Sequence, residues 1–165
     1  MGRRGVAPVV VLACVLSLGG VAFGLPPFTT APKSSPGRGP QAEVFGVATG
    51  CRANFDRFVI RARFATPSYR VRYVRRIVGD GSGLPVPLRG TKRIRVLIRN
   101  ARGHTQGGMN LLPTVRTPLC SNLRQIKLAG DFEGVVTFGL GLRRKTGFRV
   151  FRLTGPRRIV IDVAH

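Results

Sequence analysis

From residue 44 onward, apolar positions recur at every second residue, the period of a strand with one face on a core and the other in water. Phe58, Ile60, Ala62 and Phe64 enclose Arg61 and Arg63, and Tyr69, Val71 and Tyr73 enclose Arg70 and Arg72. Ile94, Val96 and Ile98 follow the same rule between Arg93, Arg95 and Arg99. Further strands are predicted over 124–129, 134–142, 148–154 and 157–164, with turns at Gly130-Asp131 and Gly155-Pro156. An opening strand at 44–49 brings the count to about seven to eight, and no window has the 3.6-residue pattern of an amphipathic helix. Short antiparallel strands with one wet face describe an all-β sandwich or open barrel.

Two segments break the rhythm. Gly79-Asp80-Gly81-Ser82-Gly83 forms a flexible turn before Pro85 and Pro87, and 100–118 forms a long loop containing His104, with Cys120 just beyond it. Loops of that length inside a compact domain are often functional. An excursion pinned by a disulfide accounts for it equally well.

The first 24 residues predict export. Arg3 and Arg4 precede the apolar run Val6 to Val21, and Ala22-Phe23-Gly24 offers small residues where a signal peptidase reads them. The run is short for a membrane span of about 20 residues. An uncleaved N-terminal anchor, the one route to the membrane, is the alternative, and both place the remainder outside. Cys14 reads as an ordinary residue of the apolar run. Residues 25–43, with Pro26, Pro27, Pro32, Pro36 and Pro40 among Thr, Ser and Gly, read as a disordered tether. The organisation expected is a signal peptide (1–24), a linker (25–43) and one domain (44–165).

Composition sharpens this picture through charge. Lys and Arg total 28 against six acids, giving +22. Such a chain meets polyanions: nucleic acid, anionic lipid or acidic wall polymers. In an oxidising compartment, Cys51 and Cys120 are the even pair of the mature chain and are expected to form a disulfide.

Catalytic chemistry finds little purchase. His104 and His165 belong to no close His/Cys/Asp/Glu cluster, so a metal site would need ligands converging from afar. Cys120 with His104 and an Asp would suffice formally as a nucleophilic set, but pairing with Cys51 is the simpler account. Asp131 and Glu133 share a strand or turn and suit a bend better than an acid–base pair. No enzyme activity, metal or cofactor is expected. Binding has more support. Arg61, Arg63, Arg70, Arg72, Arg76, Arg93, Arg95 and Arg99 stand at outward positions, with same-face residues about 6–7 Å apart along a strand. If those strands are neighbours, the arginines tile one face as an anion-binding plate, since the guanidinium fork suits phosphates and carboxylates. The other reading is a solvated sheet face on which Arg happens to be the polar residue. The absence of Trp weakens a stacking platform for sugars or bases.

Several segments in series carry a resemblance: ANFDRFVIRARF (53–64), YRVRYV (69–74), GDGSGLPVPLRG (79–90), AGDFEGVVTFGLGL (129–142) and FRVFRLTGPRRIVIDVAH (148–165). Together they resemble the AMIN-like domain family of exported bacterial proteins. The resemblance implies a β-sandwich and a cell-envelope location. It also implies a distant likeness to the AMIN domain that targets cell-wall amidases to peptidoglycan, a module that binds without cutting. Asp56, Asp80, Asp131, Glu133 and Asp162 fall inside the matching motifs, which implies structural roles for them. The basic turn Arg143-Arg144-Lys145 departs from the family's usual acidic turn. The function expected is a non-catalytic envelope module recognising peptidoglycan or an attached anionic glycan. A general extracytoplasmic polyanion or nucleic-acid binder is the alternative.

Overall fold

A computed structural model of the chain describes Met1 and residues 24–165. The predicted leader, including Cys14, otherwise lies outside the described residues. The chain order is β1 (Lys33–Ser35), β2 (Ala42–Cys51), β3 (Phe55–Arg63), β4 (Ser68–Val74), β5 (Lys92–Arg99) and β6 (Ala101–Arg102). It continues with β7 (Val115–Arg116), β8 (Leu123–Phe132), β9 (Val135–Leu142), β10 (Phe148–Thr154) and β11 (Arg157–Ala164). No helix occurs among the described residues. The longer strands are those the alternation predicts; β1, β6 and β7 are two- or three-residue additions.

The strands form two sheets. A front sheet runs β1-β4-β5-β9-β8-β7 and a back sheet runs β10-β11-β3-β2-β6. All pairings between long strands are antiparallel; the short β6 joins β2 in parallel. Inward residues of the back sheet, among them Phe58, Ile60, Ile159 and Ile161, are buried against Ile94, Val96, Phe138 and Leu140 of the front sheet. The rings of Phe58 and Phe138 meet edge-on across the layer at 5.4 Å, so the alternation of each strand closes on that of its partner.

Asp56 ties the layers together at one end. From β3 it is buried completely and accepts hydrogen bonds from the Asn122 and Leu123 amides, at 2.6 and 2.7 Å, where β8 begins. Beside it, Cys51 at the end of β2 is joined to Cys120 across 69 residues of chain, with Cα atoms 5.2 Å apart.

Three expectations are corrected. The turn anticipated at Gly130-Asp131 lies inside β8, and the chain reverses at Glu133-Gly134, both with positive φ (48° and 76°). Gly130 serves packing instead, because a Cβ there would collide with the Asp80 side chain. Residues 25–43 are not a free tether. Thr29 bridges to Phe148, β1 pairs with β4, and β2 starts at Ala42. Prolines flank β1 instead of interrupting it, which an edge strand tolerates. Arg152 anchors the segment by donating to Ser35 Oγ and to the carbonyls of Pro36 and Pro67. Last, β3 belongs to the back sheet whereas β4 and β5 belong to the front, so the arginine rows do not all adjoin.

Candidate functional site

Most of the acidic residues are consumed internally. Asp162, outward on β11 but fully buried, accepts from Arg57 Nε at 2.6 Å, Arg57 Nη2 at 2.9 Å and Arg149 Nε at 2.9 Å. The hydrogen bond to Asp162 is the first cause that holds Arg57 above the usual guanidinium range. Phe28 packs 4.4 Å from the Arg149 guanidinium and covers the group. Glu43 takes both Arg63 and Arg102, and Asp80 takes Arg95. Asp131 accepts from the Gly103 amide and meets His104 Nδ1 at 2.7 Å. Only a few arginines are neutralised in this way, and most of the chain's 28 basic residues lack a carboxylate partner among the described residues.

The front sheet gathers many of them. On its outer face Arg72 of β4 lies opposite Arg95 of β5, and Arg70 lies opposite Leu97, between Arg95 and Arg99. Arg70, Arg72, Arg95 and Arg99 wall a small cavity of about 90 Å³ with Leu97 in its lining. Leu97 points outward yet is only 9% exposed. Arginine stems cover an apolar floor while their charged heads reach water. The turn at Asp80 fixes one side of this cluster: the Asp80 amide donates to the Ala129 carbonyl, and its carboxylate meets Arg95 Nη2 at 3.0 Å. That turn opens a flap over the same face, where Ile77 and Leu88 form a small second core with Ala129. The flap needs the glycines of Gly139-Leu140-Gly141. A Cβ on Gly139 would sit 2.8 Å from Leu88 Cδ1, and one on Gly141 would strike the Arg89 carbonyl.

Two further basic cavities lie at the end of the same sheet. One, of about 460 Å³, is lined by Tyr73, Arg75, Thr91, Lys92, Arg93 and Lys145. The other, of about 340 Å³, shares Thr91 and adds Arg89, Arg124 and Arg143. Buried Asn122 holds the basic turn in place: it accepts from the Arg144 amide and donates to Thr146 Oγ1 and the Ala164 carbonyl. The Tyr73 hydroxyl donates to the Thr146 carbonyl at 2.7 Å and accepts from its amide. Burial pushes the Tyr73 phenol above its usual range, opposed in part by those bonds. The ring face of Tyr73 has Lys145 Nζ at 5.6 Å, so a cation already occupies it.

Of the eight arginines singled out by pattern, Arg70, Arg72, Arg95 and Arg99 share one pocket, and Arg93 lines the adjoining cavity. Arg76 is exposed just past β4. Arg61 and Arg63 lie in the back sheet, Arg61 opposite Arg158 and Arg63 neutralised by Glu43. The single plate is thus two separate surfaces, because β3 enters the opposite layer. Arg75, Arg89, Arg124 and Lys145 escaped the pattern, since they sit at strand ends and turns where no periodicity marks them.

The residues considered for catalysis have other work. Cys120 is bonded to Cys51, so neither sulfur is a thiol beside His104. Asp131 fixes the His104 loop through the Gly103 amide. The Sγ atoms of Cys51 and Cys120 converge with an Asp56 oxygen within 4.8 Å, but sulfurs bonded to each other offer no thiolate for a metal. His165 Nε2 stands 3.4 Å from Asp56 Oδ1 and 3.1 Å from the Arg52 carbonyl. Among the described residues no helix is long and apolar enough to cross a membrane.

In comparison with known protein families, the model of the AMIN-like domain matches residues 42–165. No curated protein and no solved structure matches the chain.

Proposed function

The chain belongs to the AMIN-like domain family, and from that premise we propose that it is a non-catalytic, extracytoplasmic binding module for the cell wall. Its ligand is peptidoglycan or an anionic polymer attached to it, met by the outer face and end of the front sheet. The observation that carries this reading is a row of cations on adjacent strands with one acid among them. Arg70, Arg72 and Arg99 have no carboxylate within salt-bridge distance among the described residues, and Asp80 takes only Arg95. Like charges gathered this closely repel one another until an anion relieves them. Export is the accompanying expectation for residues 1–24, and the paired Cys51 and Cys120 suit an oxidising compartment.

Co-sedimentation with purified wall sacculi tests the proposal, using DNA as competitor. Retention in moderate salt that DNA barely reduces supports a wall module. Loss of retention to modest DNA concentrations supports a general polyanion binder instead, since counterion release alone serves any polyanion.

A further inference from the structure

Within that wall-binding role, on which the inference rests, we infer that the pocket of Arg70, Arg72, Arg95 and Arg99 takes a tetrahedral oxyanion, one phosphate of a phosphodiester-linked wall polymer. The arrangement of the donors on two strands favours phosphate over carboxylate. Guanidinium forks approach from two strands, Arg70 and Arg72 from β4 and Arg95 and Arg99 from β5. A carboxylate can take two guanidinium groups, as Asp162 takes Arg57 and Arg149, but its acceptor lone pairs lie in one plane. A phosphodiester also presents its charge on two free oxygens, but they are splayed tetrahedrally and flanked by two ester oxygens, so forks from both strands are accommodated. Asp80 illustrates the shortfall of a carboxylate here. It reaches Arg95 through one oxygen and Nη2, while its Oδ2 and the Nε of Arg95 stay buried without a partner.

The surroundings favour a polymer without bases. The pocket of about 90 Å³ fits a compact anion, and its lining is four arginines and Leu97, with no aromatic ring on which a base could stack. Tyr73, which follows Arg72 on β4, has Lys145 against its ring face. Cations continue beyond the pocket: Arg93 follows Arg95 on the same face of β5, and Lys92, Arg75 and Lys145 line the next cavity. A chain carrying charges at regular intervals can therefore seat one phosphate over Leu97 and place its neighbours along this row. The wall supplies such chains as attached polyol-phosphate polymers, whereas the peptides of peptidoglycan offer carboxylates.

The test compares intact sacculi with sacculi stripped of phosphodiester polymers by hydrofluoric acid, using the purified secreted protein. Inorganic phosphate and acetate serve as soluble competitors at equal ionic strength. The inference predicts at least tenfold weaker retention on stripped walls and displacement by phosphate but not acetate. It also predicts that Arg70→Gln with Arg99→Gln weakens binding to intact walls by a similar factor without lowering the melting temperature, because both side chains are exposed. Equal retention on intact and stripped walls overturns the phosphate assignment and leaves wall binding standing. Retention on neither overturns both, and preferential capture by DNA assigns the pocket to nucleic acid instead.

Discussion

Replacing Asp162 by Asn would expose how the fold tolerates so much positive charge. Asp162 is fully buried and accepts three charge-assisted hydrogen bonds, two from Arg57 and one from Arg149. The amide keeps one acceptor, so the 2.6 Å bond from Arg57 Nε can survive while an NH₂ group faces a guanidinium N–H. Two partly buried cations, 25% and 13% exposed, then lose their counter-charge. Breaking a buried pair from one side costs about 3–5 kcal/mol. The surviving bond and partial solvent access reduce this to about 2–4 kcal/mol. For a domain of this size the melting temperature should fall by about 6–12 °C. Urea unfolding followed by circular dichroism, with the disulfide intact, measures the loss. Adding Arg149→Met removes one of the two stranded cations, so the double variant should lose less than the sum of the two single variants. Wall retention of D162N below its melting transition should be unchanged, because Asp162 faces outward from the back sheet. A loss under about 0.5 kcal/mol, or strict additivity, would refute the claim that this carboxylate neutralises its two arginines.

Other consequences are equally direct. Reducing Cys51–Cys120, or replacing both by Ala, frees 69 residues of chain and should cost about 4 kcal/mol by the loop-entropy relation; a change under about 1 kcal/mol in urea midpoint analysis would contradict a structural role. Burial first of all raises the Tyr69 and Tyr73 phenols. Their contribution is therefore complete below the unfolded value of about 10 and is lost as pH rises through the folded values. Thermal melts from about pH 8 to about pH 11 should show a shallower alkaline decline for Tyr73→Phe than for the parent, and identical declines would count against this. Gly141→Ala should destabilise by about 2 kcal/mol or more, since the added methyl displaces the flap at the Arg89 carbonyl; unaltered stability with native-like spectra would mean that the flap is not held there.

Alternation made the long strands legible, because a half-buried strand shows its burial pattern directly in Ile94-Arg95-Val96 or Phe58-Val59-Ile60. What alternation does not carry is the partner of each strand. Arg61 and Arg70 look equivalent along the chain, yet β3 and β4 lie in different layers. The edge strand β1 was hidden for a different reason: it is three residues long, sits among prolines and owes its place to Arg152, 117 residues away from Ser35. The misplaced turn shows the ambiguity of glycine, since Gly130 makes room for Asp80 while Gly134 supplies the positive φ of the reversal. Half of the eight arginines marked as a site do share one pocket. The strand-end cations around Thr91 depend on the Asn122 and Tyr73 hydrogen bonds, which nothing local in the sequence announces.

The most direct test of a directional binding face is a pair of charge-matched variants assayed side by side for sacculus binding across a salt series. Arg70→Gln with Arg72→Gln removes two cations from the front sheet, and Arg61→Gln with Arg157→Gln removes two exposed cations from the back. The front pair should weaken binding and lower the log–log salt slope by about 1 to 2, with the back pair indistinguishable from the parent. Equal weakening by both pairs would mean that overall charge, and not a built face, draws this protein to its ligand.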